Sequence, residues 1–317
     1  MSAPRYVFLT GGTGFIGSRV TRLLLDLRAG GAWDEVRVLA RSDRSAEKAR
    51  EIGATPVAGD LLDEGGAWRE VVRRAAFVVH CAQPSTREGD YGVRARQEAN
   101  LLGAIEDRAT ERAVFVYGSS FLGASEGPEL IDETVEPRPV GLGTYFQSSI
   151  EALEARGRGG LDCVVALPGA VYGRGTWFVE MVLDAIRRGR PIPLCEPAPR
   201  WPFIHVDDCA RAIVALLTVS RATLDAAGRR VVIAAGDPAP MDRFVEAVGE
   251  VVGRRPSILR LGAEDVRRKL PPLVAAYLTA NMPHSNARLR SFGFEPRYPS
   301  FEAGLASLEL PEIPREP

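Results

Sequence analysis

Lysine is nearly missing from this chain of 317 residues: Lys48 and Lys269 are the only two, so 38 of the 40 basic residues are arginine. Any step that needs an ammonium group has only those two positions to draw on. Cysteine is sparse too. Cys81, Cys163, Cys195 and Cys209 form no CxxC pair, and there are only three histidines, so neither a disulfide framework nor a metal site is expected. No apolar run approaches the roughly 20 residues that cross a bilayer. The opening MSAPRYVFLTGG runs directly into a strand-like segment without signal-peptide anatomy, which makes a cytoplasmic location the expectation. Net charge is also lacking: 40 basic against 41 acidic residues leave −1. Such a balance offers no electrostatic footprint for nucleic acid or an anionic membrane. A small-molecule substrate is the expected partner, for a monomer or homodimer.

What is present is the mix of a globular protein, 45% hydrophobic and 26% charged, long enough for about two compact units at roughly 150 residues each. Short β-branched runs at Tyr6–Thr10, Glu35–Ala40, Thr55–Ala58, Ala76–His80, Ala113–Tyr117 and Cys163–Ala166 read as strands. Segments with apolar residues at helical spacing, such as Gly14–Leu27 and Arg94–Ala109, lie between them. Strands alternating with helices indicate βαβ units, and strands apolar on both faces indicate a parallel sheet covered on both sides. The predicted fold class is α/β, a Rossmann-type doubly wound parallel sheet with a smaller C-terminal substrate-binding lobe. After Pro168 the pattern turns irregular, with a proline-rich stretch at Arg190–Pro202, a helix at Asp208–Leu217, a strand at Val231–Ala234 and short helices and turns from Pro238. The expected division is a nucleotide-binding core over 1–173, with elements near 203–235 returning to it, and a substrate lobe from 174–200 and 237–317.

Thr10-Gly11-Gly12-Thr13-Gly14-Phe15-Ile16-Gly17 follows the first strand and opens a helix. Glycines there let the backbone turn tightly and approach a pyrophosphate, which the helix N-terminus attracts. This predicts a dinucleotide site at Gly11, Thr13, Gly14, Phe15, Ile16 and Gly17. The end of the second strand selects between dinucleotides: an acid binds the ribose hydroxyls, an arginine a 2′-phosphate. Here the strand ends in Arg41 and Ser42, while Asp34 and Glu35 precede it. A charge-assisted bond to phosphate is worth roughly 1.5–3 kcal/mol, so NADPH is expected over NADH.

With that loop in place the chain resembles the extended short-chain dehydrogenase/reductase family, which includes sugar-nucleotide epimerases, dehydratases and dihydroflavonol-type reductases. Gly59-Asp60-Leu61 resembles the family's GDL segment, and His80-Cys81-Ala82 its strand-4 element. The resemblance implies cofactor contacts at Asp60, Leu61, Cys81, Ala82 and the following Gln83. Phe115 through Ser120 resembles the VYxSS strand end, with Ser120 at the catalytic serine position. Pro168-Gly169-Ala170-Val171-Tyr172-Gly173 resembles the stretch beside the nicotinamide, implying contacts at Pro168, Gly169 and Val171. Phe203 through Asp208, and Asn286 through Pro296, resemble two further elements of the family.

Two departures carry chemistry. The family sets a tyrosine and, four residues later, a lysine on one helix face; here Tyr145 is followed at that spacing by Ser149. The family's paired-asparagine helix keeps Asn100, but counting back six residues places Arg94 where the first asparagine belongs. A tyrosine without the lysine titrates near 10, so forming its phenolate at pH 7 costs about 4 kcal/mol, roughly a thousandfold in rate. Reactions that begin by deprotonating an alcohol bear that cost. Ketone reduction does not, since a neutral phenol is already the acid it needs. The expectation is an NADPH-dependent ketoreductase with Tyr145 and Ser120 catalytic, and with Tyr145 also against the nicotinamide. The proton donor is Tyr145 or a hydroxyl of the substrate itself. In lacking that lysine the chain resembles antibiotic-pathway ketoreductases that act on aromatic polyketides such as angucyclinones. Alternatives are a sugar-nucleotide epimerase or dehydratase, for which Arg200, Arg288 and Arg290 would bind diphosphate, and a non-catalytic NADP-binding regulator. Tyr172, His205 and Trp177 are candidates to face the substrate, though each reads equally as structural. Trp201, Phe178 and Phe203 would line an apolar pocket or belong to the core. Asp207 reads as a helix cap before an acid–base group, His80 as a core histidine, and Cys81 as a cofactor-lining residue rather than a nucleophile.

Overall fold

The computed structural model describes residues 4–83, 91–105, 110–226 and 228–310, with the side chains of Tyr91, Trp177 and Phe178 outside that description. The chain divides into two compact units, one of 1–117, 145–166 and 210–232, the other of 118–144, 167–209 and 233–317.

The first unit is built on a seven-stranded sheet of order β10-β6-β5-β4-β1-β2-β3. Its strands are β1 (Tyr6–Thr10), β2 (Glu35–Ala40), β3 (Thr55–Ala58), β4 (Phe77–His80), β5 (Arg112–Val116), β6 (Cys163–Pro168) and β10 (Val231–Ala234). All ladders from β3 across to β6 run parallel. Parallel neighbours need crossovers, and helices α1 (Phe15–Leu27), α2 (Asp43–Ile52), α3 (Trp68–Arg73), α4 (Tyr91–Ala104), α5 (Gln147–Arg158), α7 (Val206–Thr218) and α8 (Arg221–Ala226) occur between successive strands. α1 buries Gly17, Val20, Thr21 and Leu24, the i, i+3, i+4, i+7 stripe that lets one face pack while the other stays wet. The strand order reverses between β1 and β4, whose C-terminal residues Thr10 and His80 are paired. In doubly wound sheets a ligand binds beyond the carboxyl ends at such a reversal. The expected fold class and the first-half elements are therefore present, and the Arg94–Ala109 helix is observed as α4, residues 106–109 lying outside the described ones.

The second unit holds a three-stranded sheet of order β11-β9-β7 and a two-stranded one, β12-β8. These strands are β7 (Ala170–Tyr172), β8 (Ile192–Cys195), β9 (Arg200–His205), β11 (Pro238–Pro240) and β12 (Ile258–Leu261). Helices α6 (Trp177–Arg187), α9 (Met241–Val251), α10 (Ala263–Lys269), α11 (Pro272–Leu278), α12 (Ala287–Ser291) and α13 (Phe301–Ala306) complete it. The proline-rich stretch expected to be irregular contains β8 and the start of β9. Its prolines fall where no donor is needed: Pro202 and Pro238 face each other across the β9–β11 ladder, and Pro193 lies in a two-stranded sheet. The core here is aromatic. Phe203 stacks on Phe244 at 4.2 Å, Tyr172 meets Phe244 edge-on at 5.4 Å, and Trp201 is buried with its indole N–H donated to the Ala280 carbonyl. Trp201 and Phe203 thus take the core reading, not the pocket one. Residues 118–144 and 167–173 also group with this unit and 210–232 with the first, so the two units interleave along the chain.

Candidate active site

The glycine-rich loop is shaped by contacts only hydrogen permits. Gly11 has φ +67°, and a Cβ there would meet the Ala82 nitrogen at 2.6 Å; a Cβ at Gly17 would collide with the Gly11 carbonyl. The loop is thereby pressed against both the end of β4 and its own helix. α1 starts at the extended Gly14 with no side-chain cap and no acid in its first turn, and Gly14 and Phe15 are exposed. An uncapped helix N-terminus behind exposed glycine backbone fits a dinucleotide pyrophosphate. Thr13 and Ile16 beside them are half-buried.

Beside the loop, β2 and β3 end together, with Ala40 opposite Ala58 and the Gly59 N–H donated to the Ala40 carbonyl at 3.1 Å. Arg41 is exposed at this edge. Ser42 is committed locally as the N-cap of α2, in a reciprocal capping box with Ser45. Asp60 accepts the Leu62 N–H at 2.9 Å. Leu61 is buried, and its carbonyl accepts the Asn100 side-chain N–H at 2.9 Å, which ties α4 to this turn.

At the end of β4, His80 Nδ1 lies 2.7 Å from the Thr10 hydroxyl, and the Cys81 N–H reaches the Thr10 carbonyl. Burial pushes the Cys81 thiol up to about 12, so it stays protonated at neutral pH. Gln83 donates its amide to the Val116 carbonyl at 3.1 Å and accepts from Arg94 Nη1. Arg94 is 2% exposed and Glu98, one turn along α4, 3%. Arg94 Nε donates to Glu98 Oε1 at 2.6 Å, and the guanidinium lies 4.5 Å from the ring centres of both Tyr117 and Phe146. Burial works to raise the Glu98 carboxyl, yet His80, Arg94 and the Ser149 hydroxyl together hold it down at about 2. Burial first, and Glu98 next, push the Tyr117 phenol well above its ordinary range. The sequence marked Arg94 only as a departure; the i, i+4 spacing of Arg94 and Glu98 was the available signal of a pair.

Tyr145 is 46% exposed and ends a short 3₁₀ turn, Gly141–Tyr145; α5 begins only at Gln147, with Phe146 as its N-cap. Tyr145 and Ser149 therefore do not share one continuous helix, as the family spacing had implied.

In the second unit, Ser120 is 8% exposed within a 3₁₀ turn, Ser119–Phe121. Tyr277, on α11, donates to Ser120 Oγ across 3.4 Å and accepts the Leu142 N–H at 3.1 Å. The bonds thus run from Leu142 to Tyr277 to Ser120, an arrangement in which the serine hydrogen is left for another acceptor. Sequence reasoning missed Tyr277, which lies 157 positions from Ser120. Pro168 closes β6 and Val171 sits mid-β7; at Gly169, between them, a Cβ would strike the Pro202 carbonyl. Tyr172 and His205 are 2% and 4% exposed, with rings 5.5 Å apart. Burial raises the Tyr172 phenol, and Asp208 adds to the shift. Both residues border a cavity of only about 180 Å³, below the roughly 300–1,000 Å³ of ordinary ligand sites. Their packing is that of core residues, in place of the substrate-facing position first considered. The side chain of Trp177, which opens α6, lies outside the described residues. Asp207 lies in the first turn of α7, and its N–H is donated to His205 Nδ1 at 3.2 Å. Asp208 is the pinning acid, accepting the Arg297 and Tyr298 N–H groups at 2.8 and 2.9 Å.

A larger cavity of about 1250 Å³ lies wholly within this unit, between the 122–140 segment, 195–200 and Asn281, and carries Glu126, Glu129, Glu136 and Glu196 against Arg138 and Arg200. The arginines considered for a diphosphate are engaged internally. Arg200 donates to the Pro128 and Pro238 carbonyls, Arg288 lies 3.7 Å from Glu133, and Arg290 meets Asp237 at 3.3 Å. Among the described residues no group of three metal-ligating side chains occurs, and no helix is long and apolar enough to cross a membrane.

Residues 7–234 match the sequence profile of the NAD dependent epimerase/dehydratase family. A 4-hydroxy-2-methyl-3-oxo-4-farnesyl-3,4-dihydroquinoline-1-oxide ketoreductase of Stigmatella aurantiaca is 32% identical over 198 residues, covering 58% of this chain and 55% of that protein. A dTDP-4-dehydro-6-deoxy-D-allose reductase of a Streptomyces species is 28% identical over 256 residues, 69% of this chain and 74% of that one. Among solved structures, the UDP-glucose 4-epimerase of Thermus thermophilus in complex with NAD superimposes with a TM-score of 0.72 at 23% identity, covering 95% of this chain and 96% of that one.

Proposed function

The chain belongs to the NAD dependent epimerase/dehydratase family, an extended short-chain dehydrogenase/reductase lineage of NAD(P)-dependent oxidoreductases, and from that premise we propose that it is an NADPH-dependent ketoreductase. Its substrate class is a small uncharged ketone of secondary metabolism, with an aromatic polyketide or a comparable ring ketone as the leading candidate. The observation that carries the direction is Ser149: where the family places an ammonium beside the tyrosine, this chain has a neutral hydroxyl. A site without that ammonium is poor at removing a proton from an alcohol and unimpaired at giving one to a developing alkoxide. The ketoreductase relative from Stigmatella supports the same direction.

NADPH, when bound, supplies the hydride. The loop Gly11–Gly17 binds the pyrophosphate through backbone N–H groups, and Arg41 at the end of β2 addresses the 2′-phosphate. Asp60, Leu61, Cys81, Ala82 and Gln83 line the adenosine and ribose portions, and Pro168, Gly169 and Val171 the nicotinamide side. Ser120, with its hydrogen directed outward by Tyr277, hydrogen-bonds the ketone oxygen. Tyr145 donates the proton, or a hydroxyl next to the ketone in the substrate does so.

A sugar-nucleotide reductase is the second reading, favoured by the Streptomyces relative. Against it stand the four glutamates of the cavity and the engagement of Arg200, Arg288 and Arg290 within the chain. Following nicotinamide absorbance with NADPH and a panel of quinoid, polyketide and nucleotide-sugar ketones separates the readings. Turnover of the uncharged ketones is expected. Ready oxidation of secondary alcohols at neutral pH with NADP⁺ overturns the proposal, and binding without any turnover assigns a regulator.

A further inference from the structure

Glu98 faces two helices at once. From α4 it holds the Arg94 guanidinium at 2.6 Å; from α5, Ser149 lies one turn beyond the Phe146 ring that packs on Arg94, and its hydroxyl is among the groups that lower the Glu98 carboxyl. Ser149 occupies the position where the family carries its lysine, and Arg94 the position where the family carries an asparagine. The two departures noted in the sequence, 55 positions apart, thus meet on one carboxylate. The interior around it is closely confined. Arg94 and Glu98 are both nearly fully buried, and the guanidinium lies 4.5 Å from the ring centres of both Tyr117 and Phe146, which are themselves 5.4 Å apart. His80 Nε2, Arg94 Nη2 and Glu98 Oε2 are buried without a hydrogen-bond partner. Burying an ion pair is costly unless its geometry is good, and removing one partner strands the other charge. A second cation there would have no second carboxylate: among the described residues, Glu98 is the acid of this cluster, and His80 faces it from the other side at 3.7 Å.

We propose that Arg94 and Ser149 are a compensated pair: the interior beside Glu98 takes one cation, and in this chain α4 supplies it as Arg94 instead of α5 as a lysine. The exchange does more than conserve charge. A guanidinium has a planar fork of five donors and does not titrate in the neutral range. Arg94 spends that fork on Glu98 and on Gln83, which in turn is anchored to the Val116 carbonyl, and its face on Phe146, the N-cap of α5 and the neighbour of Tyr145. Arg94 is therefore a positioning residue. It holds the end of β4 and the start of α5 in register without standing next to the phenol as a lysine would. This links the charge relocation to the direction of the reaction, and to that extent rests on the ketoreductase reading.

The test is a double-variant cycle on the whole protein, comparing Arg94→Asn, Ser149→Lys and the two together. Thermal midpoints and NADPH affinity by nicotinamide fluorescence need no substrate, so they decide the pairing whether or not a ketone is reduced. Arg94→Asn strands Glu98, and Ser149→Lys crowds a second cation against Arg94. Each single change should lower the midpoint by roughly 5–10 °C and weaken NADPH several-fold. In the double variant the introduced lysine takes over Glu98, and at least half of the summed losses should be recovered. Should Arg94→Asn not fold by itself, a double variant that folds is the same result. Losses that simply add, or a double variant that fails to fold, overturn the proposal. Arg94→Lys supplies the positioning readout. It keeps the charge on Glu98 but loses the bond to Gln83, so the midpoint should stay within a few degrees while KM for NADPH rises at least threefold; an unchanged KM removes the positioning role. Oxidation of a secondary alcohol by the double variant, measured against wild type at pH 7, tests the ketoreductase reading separately, and a gain of tenfold or more is expected.

Discussion

Arg41, Tyr145, Ser120 and Tyr277 each have a distinct part in the proposed chemistry and so a distinct kinetic signature. Arg41→Ala should weaken NADPH by about ten- to a hundredfold, the worth of a charge-assisted phosphate bond, and leave NADH nearly unaffected; equal losses for both cofactors refute the 2′-phosphate assignment. Tyr145→Phe should cut reduction by about a hundredfold or more if the phenol is the acid, and near-normal turnover would move the proton source to the substrate's own hydroxyl. Tyr277→Phe removes the donor that turns the Ser120 hydrogen outward. It should lower kcat by about tenfold with little change in KM for NADPH, because only the contact to the developing oxyanion suffers. A proportional rise in KM for NADPH instead would mean that Tyr277 merely props the fold. Arg41 and Tyr145 are candidates that the sequence singles out one residue at a time, by strand-end position and motif spacing. Tyr277 is not, because its contact with Ser120 depends on where α11 lies.

Among the elements, the glycine loop joined to α1 is the one whose local sequence dictates its geometry most completely. A methyl at Gly17 would be forced into the Gly11 carbonyl, so Gly17→Ala should displace the loop and reduce NADPH affinity by more than tenfold, read by fluorescence titration, while circular dichroism shows the sheet retained. β1, β4, β5 and β6 were legible for a related reason: strands buried on both faces are rich in continuous apolar runs, and such runs are visible without any partner. β8 and the start of β9 were hidden because proline normally argues against a strand. Only the pairing with β12 and β11 reveals that these prolines sit where no N–H is required. The start of α5 was misplaced by the family spacing alone. The turn ending at Tyr145 stays 3₁₀, and the helix begins two residues later, at Gln147.

The folded protein as a whole should be acid-sensitive in two stages. His284 is fully buried, donates Nε2 to the Gly123 carbonyl at 2.9 Å, and is held by burial at about 4, below its ordinary 6.5. The unfolded chain takes up that proton first, so stability falls as pH drops from 6.5 to 4, by about 3 kcal/mol. Glu98, held at about 2 against an ordinary 4.5, adds stability that is complete above its unfolded value and is lost as pH falls through 2, again about 3 kcal/mol. Urea midpoints measured across pH should show both stages. His284→Gln should flatten the slope between pH 4 and 6.5 and leave the lower stage in place; an unaltered slope would assign the upper stage to other groups.

The alternation of apolar runs and helical stripes, the phosphate loop and the strand-end arginine were determined by the sequence alone, because each is a local demand of backbone geometry or of charge next to a turn. What the tertiary structure decided was which side chains share the interior. It made Arg94 the buried partner of Glu98 and Gln83, bonded Ser120 to Tyr277, and turned Tyr172 and His205 into packing. Burial and pairing depend on which distant side chains share a small volume, and spacing along a chain does not specify that.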